Sequence, residues 1–120
     1  MTKLSEDDLA LALACVEIEP ENDYELDDDP WQHLAELVEE APARALAVCA
    51  EIARRSSDVT TLSGLGEEIL EALLEAQPGM VDAVIAEARQ SPGFRIALGF
   101  TWTGALARTD QMKLNQLLKN

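Results

Sequence analysis

LAELVEEAPARALAVCAE, residues 34–51, and LEALLEAQPGMVDAVIAE, residues 70–87, are the stretches on which the fold turns. They align without a gap at an offset of 36: Leu34 falls on Leu70, Leu37 on Leu73, Glu39 on Glu75, Pro42 on Pro78, Ala47 on Ala83, Val48 on Val84, Ala50 on Ala86 and Glu51 on Glu87. Alanine, glutamate and leucine coincide easily in a chain this rich in them. The prolines carry more weight. Proline lacks an N–H and disfavours helix in the residue before it, so each marks a corner where one helix hands over to the next. The offset of 36 lies between the tetratricopeptide and HEAT repeat lengths, and the tetratricopeptide signature residues are absent. The reading is all-α: a short HEAT-like stack of two helical hairpins, 30–56 and 63–90. An N-terminal capping helix and C-terminal helices cover its two ends, because a terminal repeat otherwise leaves an apolar face bare.

Outward from the repeat, start signals place the other helices. Ser5 is a candidate N-cap with Asp8 three residues on, and Leu4 and Leu9 hold the staple positions. Leu9, Ala12, Leu13 and Val16 follow at helical spacing, and the helix stops before Pro20. LALALA also alternates with period two, but alanine is poor in strands, so helix is favoured. Asp29 and Pro30 open a second helix with Trp31, Leu34, Ala35 and Val38 on one stripe. After Pro42 the next stripe is Ala45, Leu46, Cys49, Ile52 and Ala53, closed by Arg54 and Arg55 at the negative end of the helix dipole. SSDVTTLSG, 56–64, reads as a loop. Leu65, Ile69, Ala72, Leu73 and Ala76 mark the fourth helix, and Met80, Val81, Val84, Ile85 and Ala88 the fifth. Ser91 and Pro92 start a sixth with Phe94, Ala97 and Leu98; Asp110 caps a last one carrying Leu114, Leu117 and Leu118.

The 120 residues suit one domain, 1–120, with an acidic loop, 19–29, inside it. Net charge is −14, unevenly placed: residues 1–30 carry eleven acids and one Lys, residues 31–120 twelve acids and eight bases. Such a field repels nucleic acid and anionic membranes and speeds encounter with basic protein surfaces. The N-terminus turns acidic at once, unlike a signal peptide, and no apolar run reaches the ~18–20 residues of a membrane helix. Cys15 and Cys49 sit in apolar helical patterns and read as small core residues of a reducing cytoplasm.

The segment 64–102 resembles an uncharacterised bacterial family known only as a domain of unknown function. The residues that carry the likeness are Gly64 and Gly66, Leu70 to Leu74, Gly79, Glu87 to Arg89, Pro92 to Leu98 and Trp102, with Trp31 upstream. It covers roughly residues 31–102, leaving the acidic residues 17–29 outside. The resemblance implies a small all-helical fold and a place beside bacterial toxin genes; it implies no activity.

Chemistry-bearing residues are sparse. With a single His and no Cys-x-x-Cys, no zinc set is available. An EF-hand frame from Asp23 puts Asp28 where Gly belongs and Leu34 where Glu belongs. Glu67, Glu71 and Glu75 are helical neighbours that read as a solvated face rather than an acid/base pair. His33 reads as a surface or rim residue, and Trp31 and Trp102 as core anchors. Arg95 reads as one half of an ion pair, with Glu71 or Glu87, tying the C-terminal layer to the repeat. Gly64 and Gly66 form no nucleotide loop, since a third Gly, a Lys and a preceding strand are missing. The roles of an active site cannot be filled, so no catalytic residue, metal or cofactor is expected and the chain is read as a non-enzyme.

The acidic loop sets Tyr24 and Leu26 among carboxylates, a rim-and-anchor pattern suited to a cationic protein surface. The expected partner-binding residues are Glu19, Glu21, Asp23, Tyr24, Glu25, Leu26, Asp27, Asp28 and Asp29. The expected function is a small cytoplasmic immunity or inhibitor protein that occludes the cationic surface of a basic bacterial toxin, one active on nucleic acid being a natural target. The alternative is a general helical adaptor without a toxin partner. Neither nucleic acid nor membrane is an expected partner, and whether the chain pairs as a homodimer is open.

Overall fold

Ser5 caps the first helix as its position predicts: its hydroxyl accepts from the Asp8 N–H at 3.1 Å. The structure, a computed structural model, describes residues 4–17, 30–101, 104 and 106–119. Its elements are α1 (Glu6–Glu17), α2 (Pro30–Glu40), α3 (Pro42–Arg55), α4 (Val59–Gly64), a π-helical segment (Leu65–Leu70), α5 (Glu71–Ala76), a 3₁₀ turn (Pro78–Met80), α6 (Val81–Gln90), α7 (Pro92–Gly99) and α8 (Arg108–Lys119). The fold is all-α, with no strand among the described residues. No described helix is long and apolar enough to cross a membrane.

The two proline corners match in geometry. Ala41, before Pro42, has φ −149° and ψ 77°; Gln77, before Pro78, has φ −134° and ψ 74°. Each donates its N–H at 2.8 Å to a leucine carbonyl four residues back, Leu37 and Leu73, themselves an aligned pair. The ring of the following proline excludes helix at both sites, so the same turn recurs. The arms then take different partners. α2 packs on α3, α1 and α5, whereas α6 packs chiefly on α7 and α8.

One apolar cluster runs through all layers. α1 contributes Ala12 and Cys15, α2 Trp31, Leu34 and Val38, α3 Ala45, Val48, Cys49 and Ile52, and the later helices Leu65, Leu70, Val84, Phe94 and Leu114. Both cysteines are free and buried. Burial pushes the Cys49 thiol far above its usual range, so it stays neutral and unreactive.

Two expectations fail here. The loop expected over 56–64 ends at Asp58, because the Asp58 carboxylate accepts from the Thr60 N–H at 3.0 Å and caps a helix that continues from Val59. Burial of Thr61, Leu62 and Gly64 overrides the weak helix propensity of this β-branched and glycine stretch. Asp110 is not the cap of α8 but lies inside its first turn, the helix starting at Arg108.

The run from Val59 to Ala76 also departs from ordinary pitch. Its buried residues fall in two rows of strict spacing four: Thr61, Leu65, Ile69, Leu73 and Leu62, Gly66, Leu70, Leu74. On an α-helix such rows drift by about 40° per step. The π turn at Leu65–Leu70 is wider, with Glu71 N–H bonding the Gly66 carbonyl five residues back, and keeps both rows on the core. Ala76, expected inside, is exposed.

α7 is gripped between two close approaches. A Cβ on Gly66 would stand 1.9 Å from the Ala97 carbonyl oxygen of α7, and one on Gly93 of α7 would stand 2.2 Å from the Ala53 oxygen of α3. Both positions have φ that any residue adopts; the space, not the backbone, demands glycine. Thr101 Oγ1 adds a bond to the Gly66 carbonyl at 2.9 Å. At the start of α7, Ser91 Oγ accepts from Phe94 N–H at 3.2 Å, as its sequence position predicts.

Candidate functional site

The expected partner-binding residues, Glu19, Glu21, Asp23, Tyr24, Glu25, Leu26, Asp27, Asp28 and Asp29, lie outside the described residues. So does Trp102. What the structure places is the pair of helices on either side of that segment. α1 ends at Glu17, α2 begins at Pro30, and the two pack on each other and on α3.

Together they make an edge without a cation. From Leu4 to Ala43 there is no Lys or Arg. Glu6, Asp7, Glu17, Glu36, Glu39 and Glu40 are all exposed on it. Apolar spacing explains why the charge faces out: Ala12, Cys15, Leu34, Leu37 and Val38 take the buried positions, leaving the acids on the other face. Residues 1–43 hold fourteen acids and one Lys, and residues 44–120 hold nine acids and eight bases, so the net charge divides as −13 and −1. The flanking acids extend the expected site, and the signal that finds them is the forty-residue gap between bases, 4–43.

A cleft of about 300 Å³ runs along this edge, lined in part by Asp7, Leu11, His33, Glu36 and Glu40. His33 is exposed there, as expected for a rim residue. Arg44, the first base of α3, closes one side. It grips the buried Asp8 with both ends of its guanidinium, Nη2 to Oδ1 at 2.8 Å and Nε to Oδ2 at 3.2 Å. That hydrogen bonding holds the Asp8 carboxyl below its ordinary value, against a smaller opposing effect of burial. Asp8 thus caps α1 from within its first turn and ties α1 to α3.

The remaining candidates are not gathered into a site. Glu67, Glu68 and Glu75 are exposed and Glu71 is half-buried, with Glu67 and Glu71 separated by the widened π turn. Gly64 sits in helical backbone, φ −62° and ψ −40°, not in a phosphate-binding loop. Arg95 does tie the last layer down, but the partner seen is the Leu117 carbonyl of α8, which accepts from its Nη2. Arg54 and Arg55 both bond Glu51, at 2.8 and 2.7 Å, holding that carboxyl below its usual range. Among the described residues no group of three His, Cys, Asp or Glu side chains is placed to hold a metal ion.

Compared with protein-family models, with curated proteins and with solved structures, the chain matches none.

Proposed function

We propose that the chain is a cytoplasmic binding protein whose acidic edge docks on a cationic protein, and that the partner is a basic bacterial toxin it neutralises by occlusion. The observation that carries this reading is the separation of charge, −13 in residues 1–43 against −1 in the rest. Acids spread for solubility alone need no such segregation. A surface that contacts phosphates must be cationic, and an acidic edge both attracts it and competes with its nucleic acid. In this reading the helices form a short HEAT-like scaffold, and the chain does no chemistry of its own.

The test is capture from lysate of the source organism, washed at low and at high salt, followed by assay of the captured protein's activity with and without this chain. The expected result is one stoichiometric basic partner, released by salt and inhibited when bound. Neutralising Glu25, Asp27, Asp28 and Asp29 to amides weakens capture without loss of helix content. Equal capture by that variant sinks the acidic-docking reading.

One observation favours a second reading, a helical adaptor. A groove of about 460 Å³ with Ala53, Leu62 and Gly93 among its lining residues leaves Ile96 half exposed. An adaptor predicts that Ile96→Glu abolishes partner capture while the four amide substitutions do not.

A further inference from the structure

A cleft of about 660 Å³ opens between α6, α7 and α8. Ile85 and Leu117 supply its apolar lining. Arg89 enters from α6, Arg95 from α7 and Lys113 from α8, against the single lining carboxylate of Asp82. Three cations thus meet one anion in a chain of net charge −14.

Elsewhere the arginines of α3 are matched by close carboxylates, Arg44 by Asp8 and Arg54 and Arg55 by Glu51. Here the match is thin. Lys113 Nζ stands 3.3 Å from Asp82 Oδ1, and the Asp82 side chain is 80% exposed. A pair so open to water holds its partners weakly. Arg95 is fixed instead by the Leu117 carbonyl. That carbonyl is among the last four of α8, which have no partner inside the helix and favour a cation. The guanidinium is therefore positioned by the fold before any ligand arrives.

We propose that this cleft binds a small organic anion, a phosphate or carboxylate head carrying two negative charges beside an apolar body. Two guanidinium forks and an ammonium converging from three helices suit such a head. Concave walls of low dielectric focus the local positive field against the acidic background. Ile85 and Leu117 suit the apolar body, and the volume falls within the ~300–1,000 Å³ typical of small-molecule sites. The site shares no lining residue with the acidic edge, so neither proposal depends on the other.

Phenyl phosphate, inorganic phosphate and phenol are the probes, titrated into the ¹⁵N-labelled full chain and followed by amide NMR shifts. The expected result is saturable shifts clustered on residues 82–89 and 113–117. Phenyl phosphate binds more tightly than either inorganic phosphate or phenol. Arg89→Gln with Lys113→Gln weakens it by about tenfold or more, with circular dichroism and spectral dispersion unchanged, since both side chains are exposed. Glu36→Gln, Glu39→Gln and Glu40→Gln together leave the affinity within about twofold, because those acids lie beyond the screening length set by salt, roughly 8–10 Å. Absence of saturation, or equal affinity in the double variant, overturns the site. Equal shifts around Arg54 and Arg55 overturn it as general counter-ion binding, and inorganic phosphate binding as tightly as phenyl phosphate overturns the ligand class.

Discussion

The α1–α2 edge and the α3–α8 body bury the same kinds of residue and treat charge in opposite ways. Leu34 in α2 and Leu70 in the π segment, an aligned pair, are both fully buried in one cluster. Yet Arg44, Arg54, Arg55, Arg95 and Lys113 of the body all have partners within the fold, while α1 and α2 carry acids with no Lys or Arg among them. Packing and charge are therefore separable in this protein. The apolar rows specify the helices and their contacts. The acids are imposed on a face that folding leaves to solvent, where they raise self-repulsion without adding contacts.

The sharpest test of that equivalence in packing is the aligned pair. Leu34→Ala and Leu70→Ala should each cost about 2–5 kcal/mol in urea unfolding, from lost burial and the cavity left behind. A much smaller loss at Leu34 would mean that the edge is not part of the same cooperative unit. Gly66→Ala should cost about 3 kcal/mol, because its new Cβ meets a carbonyl oxygen rather than a movable side-chain tip. Gly79→Ala is its control: nothing lies within 4 Å of that Cβ, and stability should stay level or rise by up to about 1 kcal/mol.

Asp8→Asn cuts the tie between edge and body, and its effect should depend on pH with a definite sign. The folded-state carboxyl titrates below the ordinary 3.8, so its contribution is complete above that value. It is lost as pH falls through the lower folded value. The melting temperatures of the parent and the variant should therefore differ at pH 7 and converge in strong acid; a difference that persists there would assign the effect to shape instead of charge. Smallest of all is Glu36→Gln with Glu39→Gln and Glu40→Gln. Stability should change by no more than about 0.5 kcal/mol per site, and toward a gain at low salt.

What the sequence disclosed follows the range of each signal. Ser5 with Asp8, Ser91 with Phe94, and the proline corners act within four residues, and each appears where its spacing predicts. The 56–64 stretch misleads because Val59, Thr60, Thr61 and Gly64 are weak helix formers taken alone; only the burial supplied by later residues makes them helical. The contacts of charged groups are the least legible. Asp8 meets Arg44 across 36 residues, and Arg95 meets Leu117 across 22. No periodicity announces a partner at that distance, which is why a glutamate was the natural expectation for Arg95. The cation-free gap from Leu4 to Ala43 was open to inspection throughout, but only the packing of α1 on α2 turns it into a surface.

The wide turn at Leu65–Leu70 makes the helix it interrupts sensitive to length rather than to composition. One residue removed there restores ordinary winding and turns everything downstream by about 100° relative to the core. Glu71 and Glu75 would then compete with Leu70 and Leu74 for the interior, although no buried side chain had been altered. A single-codon deletion between 65 and 70 is thus a change of phase, and its damage should exceed that of most substitutions in the same segment.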